Sequence, residues 1–189
     1  GYLTACPTNV GTGLKASVLV HLAGLTQTGN IRKILNVINN FGMSVRGAYG
    51  EGTKVDGDLY QISNNQTLGV TEGEIIKNLK LISQKIISQE RLARKFLTKN
   101  SVELEDKVYR DFGILSNARK LTNDETKELL STVKLGTDLG IIKELNDTKV
   151  MELLVYTKPS NLQKRVNKNL NLYEQEIERP KVINEIINS

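Results

Sequence analysis

The strand-forming patterns of this chain lie before residue 100; after it strand signals largely disappear and helical patterns dominate. Three segments are rich in β-branched residues and predict strands: 14–21, 43–48 and 59–63. Between the first two, an apolar helical face over 30–41 predicts a helix that ends at Gly42. The first part of the chain is therefore expected to be α+β.

A capping box of Thr71 and Glu74 begins the longest helical pattern, an apolar stripe that runs for about seven turns to Leu97. Four shorter helices are predicted after it, over 101–112, 122–135, 147–157 and about 180–187. Gly113, Gly136 and Pro159 are the predicted stops, and polar residues 161–171 are expected to form a flexible connection.

Composition limits the classes of partner. The 189 residues can bury a core as one domain or as two small ones, and no apolar run approaches the length of a membrane span. The net charge of +5 lies before residue 99, where 11 Lys and Arg face 6 Asp and Glu. With 5% aromatic residues and no Trp, this excess favours a polyphosphate ligand over nucleic acid.

The single cysteine, Cys6, cannot form an internal disulfide, which favours a reducing cytoplasm and leaves a free thiol. The first residues lack a basic region followed by an apolar segment, so no signal peptide is predicted. The chain does not begin with Met, and we expect its start to be a cut inside a longer protein.

Two glycine-rich segments, 6–17 and 45–53, bring a thiol, two cations and a carboxylate into the first part of the chain. The cations Lys15 and Arg46 are of the kind that phosphate oxygens attract, and glycines allow backbone to approach a ligand closely. The residues alone leave alternatives open: an exposed strand lysine at 15, a small buried side chain at Cys6, and a packing or surface histidine at His21. No His, Cys and carboxylate spacing predicts a zinc site.

In order and spacing, the two segments resemble the second half of the phosphagen (ATP:guanidino) kinase catalytic domain, in particular the bacterial protein-arginine kinases of the McsB type. Residues 62–64 and 68–69 continue the resemblance, and 109–115 and 135–140 are similar to the helical carboxyl-terminal domain of that branch. The resemblance implies an α+β fold, with the carboxyl-terminal half of an antiparallel-sheet catalytic domain over 1–95 and a helical domain over 96–189.

The resemblance also implies a reaction, the transfer of the γ-phosphoryl group of ATP to arginine guanidinium groups in proteins. The family's catalytic positions are matched by Glu51, a carboxylate that grips the guanidinium, and by Cys6, a reactive thiol beside it. Tyr49 and Gly52 flank Glu51 and would shape the entry for the guanidinium. The nucleotide-binding positions match Lys15, Ala16, Ser17, Val18, Leu19, Arg46, Gly47, Ala48, Tyr49, Gly50 and Glu51.

The implied cofactors are ATP and Mg²⁺ held through the phosphates. The implied partners are protein substrates with exposed arginine and a second copy bound through the helical half, with no nucleic acid, no membrane and a cytoplasmic location. Two positions depart from the family: Lys15 stands where it has arginine, and 179–184 replace its Arg-Asp-x-x-Arg-Ala motif. An inactive relative that binds phosphoarginine or dimerises is therefore the alternative, and a generic basic α+β domain is a third.

Overall fold

The computed structural model describes residues 10–47 and 56–189, which fall into two compact units, one within Gly1–Lys99 and one within Asn100–Ser189. The described part of the first unit contains the sheet and three helices, and that of the second contains five helices. This distribution confirms the predicted α+β class. Whether the two units correspond to the predicted parts 1–95 and 96–189 of a catalytic and a helical domain stays a prediction.

Three strands form an antiparallel sheet in the order β1–β3–β2. They are β1 (Ser17–His21), β2 (Met43–Gly47) and β3 (Leu59–Asn64). All three predicted strands are present, and β1 begins three residues later than its predicted segment. β3 is the central strand, and its residue Ile62 pairs with Val18 on one side and with Val45 on the other.

The helices of this unit are α1 (Ala23–Gln27), α2 (Ile31–Asn40) and α3 (Glu72–Leu97). The predicted capping box is present, because the Thr71 side chain accepts a hydrogen bond from the Glu74 backbone and the Glu74 carboxylate accepts one from Thr71. Gly42 follows α2 with φ +69°, a left-handed conformation that suits glycine after a helix. The core lies between the sheet and the helices and contains Leu22, Leu25, Ile38, Met43, Tyr60, Ile62, Leu79, Ile86 and Ala93.

A buried carboxylate, that of Glu90, ties α1 to α3. It accepts hydrogen bonds from the backbone nitrogens of Gly24 (2.8 Å) and Leu25 (2.9 Å) and from Arg94 Nε (2.6 Å). The first amides of a helix have no partner within the helix, and a carboxylate satisfies them while facing the positive end of the helix dipole. A Cβ at position 24 would lie 2.9 Å from a Glu90 oxygen, so a glycine is needed there.

The second unit is built from α4 (Ser101–Asn117), α5 (Asn123–Asp138), α6 (Asp147–Tyr156), α7 (Pro159–Val166) and α8 (Leu172–Asn188). Three predicted boundaries are wrong, because Gly113 and Gly136 lie inside helices and α8 starts well before 180. The predicted stop before Pro159 is confirmed, since α6 ends at Tyr156 and Pro159 begins the next helix, α7. The predicted flexible connection over 161–171 is also wrong in its first part, which belongs to α7. Within 10–47 and 56–189, no helix combines the length and the apolar character that crossing a membrane requires.

Gly136 lies inside α5 because another helix packs closely against it. A Cβ at this position would be 2.3 Å from Val108 Cγ1 on α4, far closer than two carbon atoms can approach. The glycine therefore serves helix packing, and the cost of a glycine in a helix, about 1 kcal/mol relative to alanine, is offset by the close contact.

Pro180 lies inside α8 because its missing hydrogen bond is replaced from outside the helix. Proline has no N–H to donate to the carbonyl four residues earlier, which here belongs to Glu176. That carbonyl accepts a hydrogen bond from the backbone nitrogen of Leu121 (2.9 Å). The neighbouring Arg179, only 1% exposed, donates to the carbonyls of Leu121 (2.6 Å) and Thr157 (3.0 Å). Residues of α8 thus form hydrogen bonds with both the N–H and the carbonyl of Leu121.

We expect Glu90→Gln to lower the free energy of unfolding by about 1–3 kcal/mol, because the amide nitrogen of Gln would face a backbone N–H and leave it buried without an acceptor. Urea denaturation followed by circular dichroism measures the effect. Glu72→Gln, in the exposed first turn of α3, is the matched control and should cost less than about 1 kcal/mol. Equal losses in the two variants would contradict the anchoring role of Glu90.

Candidate functional site

The face of the sheet opposite the core carries two rows of side chains, all polar except Leu19. One row crosses the strands at Leu19, Gln61 and Arg46, and all three are exposed. The next row consists of Ser17, Ser63 and Ser44. Directly paired residues in an antiparallel sheet point to the same side, so register alone gathers these six side chains on one surface.

Hydrogen bonds join neighbouring strands on this outer face. The Ser44 and Ser63 hydroxyl oxygens lie 2.8 Å apart, and Gln61 Nε2 donates to Ser17 Oγ over 3.1 Å. These bonds restrict side chains that range from exposed, at Ser17 and Gln61, to buried, at Ser63. The result is a surface of hydroxyl and amide groups with the Arg46 guanidinium at its β2 side.

Lys15 is the second cation at this face. Lys15 lies two residues before Ser17, so the alternation of β1 places it on the same side as Ser17 and Leu19. Its ammonium donates to the Asn64 carbonyl oxygen over 2.5 Å. Partial burial lowers the pKa of Lys15, and the positive charge of Arg46 lowers it further. The two cations are therefore close enough to repel each other, and an anion that contacts both would relieve that repulsion.

Asn64, at the end of β3, holds the segment around Lys15 in place. Its side-chain oxygen accepts from the Ala16 nitrogen (2.8 Å), and its amide nitrogen donates to the carbonyls of Leu14 (2.9 Å) and Gln66 (3.2 Å). The peptide groups on both sides of Lys15 are thus bound to one buried side chain. This explains how a lysine outside the strand keeps a defined position.

A second anchor lies further upstream in the glycine-rich segment. The Thr67 carbonyl accepts from Thr12 N (3.0 Å), and the Thr67 hydroxyl donates to the Val10 carbonyl (2.9 Å). Gly11 sits directly against this residue with φ +117°, and a Cβ there would be 2.1 Å from the Thr67 oxygen. Only glycine combines that approach with that backbone conformation.

The structure brings some of the predicted nucleotide-binding residues together and separates others. Lys15, Ser17, Leu19 and Arg46 share the outer face. The side chains of Ala16 and Val18 instead pack against the core, so only their backbone is available to a ligand on the outer face. Gly47 pairs with Tyr60 at the end of β2. Five predicted site residues, Cys6, Ala48, Tyr49, Gly50 and Glu51, lie outside the described residues.

Sequence reasoning missed Gln61, which lies on this face, and Asn64, which is buried on the core side of the sheet and holds the segment around Lys15. A signal for Gln61 was present, because polar residues alternate with apolar ones along β3 and Gln61 occupies a polar position. No comparable signal marks Asn64, whose role depends on backbone groups some fifty residues away in the chain. Among the described residues, no group of three His, Cys, Asp or Glu side chains could hold a metal ion.

Comparison with known proteins accounts for both units. A model of the ATP:guanido phosphotransferase C-terminal catalytic domain matches residues 1–93, and a model of the protein-arginine kinase McsB C-terminal domain matches residues 101–189. The chain belongs to the ATP:guanido phosphotransferase family. The resemblance found in its two glycine-rich segments is thereby confirmed, and so is the resemblance of its helical half to the McsB branch.

Relatives named protein-arginine kinase match this family member along all or nearly all of its length. One from Halothermothrix orenii is 51% identical over 189 residues, which are 100% of this chain and 54% of the relative. One from Desulforamulus reducens is 46% identical over 100% of this chain, which corresponds to 53% of the relative. One from Bacillus cereus strain B4264 is 48% identical over 98% of this chain and 52% of its own length. The chain thus spans about half the length of these relatives.

We expect Arg46→Ala to raise the pKa of Lys15, because it removes the neighbouring positive charge that disfavours the ammonium form. Titration of ¹³C-labelled lysine by NMR measures the shift. Arg46→Lys keeps the charge and should leave the Lys15 pKa lowered, whereas Lys95→Ala, on α3, is a control that should not change it. An unchanged Lys15 titration in Arg46→Ala would show that the two cations do not interact.

Proposed function

We propose that this chain is the carboxyl-terminal portion of an ATP-dependent protein-arginine kinase. The observation that carries the proposal is the pair of cations, Lys15 and Arg46, held on one polar sheet face by strand register and by Asn64. The family assignment of both units and the name shared by the relatives support it. The proposed reaction transfers the γ-phosphoryl group of ATP to a guanidinium nitrogen of a protein arginine, which loses a proton as ADP leaves.

In this proposal the described residues bind and orient the nucleotide. Lys15 and Arg46 neutralise phosphate oxygens, and phosphoryl transfer depends largely on such positioning and charge stabilisation. Ser17, Gln61 and Leu19 offer hydroxyl, amide and apolar surface beside the cations. An ammonium at position 15 provides a point charge, whereas the guanidinium of Arg46 can contact two oxygens at once.

Magnesium enters this proposal bound to the phosphates. The described face supplies cations, hydroxyls and an amide, a donor set that suits phosphate oxygens better than a divalent cation. Mg²⁺ commonly keeps several waters and is held through substrate phosphates, where it offsets their negative charge. The residues of this chain would then contact the nucleotide rather than the metal.

The roles proposed for Glu51 and Cys6 rest on the family match alone. Glu51 would hold the arginine guanidinium and assist removal of its proton, and proton-transfer assistance contributes roughly 10²–10⁴-fold in enzymes generally. Cys6 would lie beside the guanidinium, where a neighbouring cation favours the thiolate. A free thiol and ATP are both suited to the cytoplasm, which is the location we propose.

The alternative, a phosphoarginine-binding module, would use the residue that survives from the family's Arg-Asp-x-x-Arg-Ala motif. That residue is Arg179, and its guanidinium is buried and donates to the carbonyls of Leu121 and Thr157. It is therefore occupied in holding α8. This arrangement disfavours the alternative at that position.

The proposal includes self-association through the helical unit. Met151 and Val155 lie one turn apart on α6 and are both exposed, and Leu172 and Tyr173 expose further apolar surface at the start of α8. Exposed apolar patches of this kind often mark protein interfaces. A homodimer would cover them.

The kinase proposal is tested in a chimaera that joins the amino-terminal part of the Halothermothrix orenii relative to this chain. We expect it to form phosphoarginine on an arginine-rich acceptor, and Glu51→Gln to abolish this at an unchanged melting temperature. Arg46→Ala should weaken ATP binding by about 1–3 kcal/mol through loss of a charge-assisted contact, measured by calorimetry. Lys15→Arg should keep or improve binding.

Two outcomes would contradict this prediction. If the chimaera is inactive while the parent relative is active under the same conditions, the binding-module alternative stands. If Arg46→Ala binds ATP as tightly as the unchanged chimaera, the assignment of the nucleotide site to this face is wrong.

For self-association, we expect Met151→Glu to shift the whole chain from dimer to monomer in sedimentation velocity, because a buried unpaired carboxylate disrupts an apolar interface. Leu68→Glu, an exposed apolar residue of the first unit, is the control and should leave the dimer intact. A chain that is monomeric before any substitution, even at high micromolar concentration, would contradict the proposal.

A further inference from the structure

A groove on the first unit, away from the polar sheet face, is formed by α2 and α3. It encloses about 570 Å³ and is lined mainly by aliphatic and aromatic side chains. Ile38 and Ile86 are buried at its base, whereas Phe41 and Leu81 are 62% and 48% exposed at its walls. A concave apolar surface between two helices has the shape that an amphipathic helix fills.

The helical segments that form this groove carry charges of one sign, although of their cations only Lys85 lines the groove itself. Residues 31–41, which include α2, contain Arg32 and Lys33 and no Asp or Glu. Residues 75–89 of α3 contain Lys77, Lys80 and Lys85 and again no Asp or Glu. Lys85 lies at the groove itself, with its ammonium 5.9 Å from the centre of the Phe41 ring. An acidic partner would be attracted to this surface and a basic one repelled.

The apolar wall continues along α3 beyond the groove. Leu92 and Phe96 follow Leu81 and Lys85 on the same stripe of the helix and are also exposed. From Leu81 to Phe96 the helix rises by about 22 Å, which matches the length of about 15 helical residues. The surface is therefore long enough for a helix with several apolar anchors.

We propose that this groove binds an acidic amphipathic helix of a partner protein. The helix places leucine-type side chains between Phe41 and Leu81 and its carboxylates toward Lys85 and the neighbouring cations. The proposal uses no residue of the nucleotide face and does not depend on the proposed kinase activity. Because the cations repel a basic segment, the bound helix is distinct from an arginine-rich phosphate acceptor.

Charge and shape favour this occupant over two others. A symmetric dimer through the groove would place the basic surfaces of two copies opposite each other, which is unfavourable. A bilayer surface is flat on this scale, whereas the apolar surface here is recessed between two helices, and interfacial helices instead insert a protruding apolar face. A helix with acidic flanks satisfies both the concavity and the charge.

The test measures binding of two fluorescein-labelled peptides of about 18 residues by fluorescence anisotropy. The peptides share leucines at i, i+4, i+7 and i+11 and differ only in carrying Glu or Lys at the flanking positions. We expect the acidic peptide to bind this chain and the basic peptide to show no binding. Equal binding of both peptides, or binding of neither, would overturn the proposal.

Variants on two faces of α3 provide a matched comparison. Leu81 and Lys85 lie one turn apart at the groove, and Ile76, 56% exposed, and Lys80 lie one turn apart on another face. Leu81→Glu and Lys85→Glu should each weaken binding of the acidic peptide about tenfold or more, and Lys85→Glu should improve binding of the basic one. Ile76→Glu and Lys80→Glu should change either affinity less than about twofold. Equal effects on the two faces would overturn the proposal.

Three further measurements separate the other occupants. Self-association that is lost in Leu81→Glu but kept in Ile76→Glu would assign the groove to a second copy. Flotation with phosphatidylglycerol vesicles that is lost in the same variant would assign it to a bilayer. Loss of acidic-peptide binding in the Halothermothrix orenii chimaera would assign it to the amino-terminal part of such a protein. Each of these outcomes overturns the proposal, and binding retained in the chimaera supports it.

Discussion

The pairing register of β3 is the constraint on which the first unit depends. Ile62 is buried between Val18 and Val45, and the residues beside it on β3, Gln61 and Ser63, face the other side. A shift of one residue would exchange the two faces, bringing Gln61 into the core and Ile62 to the surface. Burial of the apolar face therefore fixes the positions of the polar groups on the other face. The position of the Arg46 guanidinium depends in this way on the packing of Ile62 on the opposite face.

Two buried side chains, Asn64 and Glu90, hold the segments next to the sheet in defined positions. Asn64 ends β3 and binds the backbone before β1, so the position of Lys15 follows from the same central strand. Glu90 performs a similar function below the sheet, where it fixes the turn of α1 that follows β1. Both side chains satisfy backbone groups that lie far away in the chain. Substitution of either residue would therefore destabilise a segment that is distant from it in the sequence.

Much of this architecture could be predicted from sequence because local signals agreed with the final packing. The three strands, the α2 boundary at Gly42 and the capping box of Thr71 each follow from residues within a few positions of one another. Lys15 and Arg46 could be selected as candidate cations from their glycine-rich surroundings. Their placement on one face, and the separation of Val18 from it, required the strand order β1–β3–β2, which no local pattern specifies.

The failures have a common physical origin in contacts between distant segments. Gly136 was expected to stop a helix, yet its missing side chain makes room for Val108 of α4. Pro180 was expected to begin a helix, yet the carbonyl that it leaves free is bound by Leu121. In both cases a residue that is unfavourable in an isolated helix is favourable in this one. Asn64 was missed for the same reason, since its partners are assembled only by folding.

The bond between α8 and Leu121 has a consequence for the order in which the helical unit is completed. Leu121 lies in the connection between α4 and α5, and both of its backbone groups are paired by residues of α8. On a ribosome, Leu121 emerges 58 residues before Arg179, which satisfies its carbonyl. Its buried backbone must remain hydrated until α8 is made, so the unit cannot reach its final state before α8 has been synthesised.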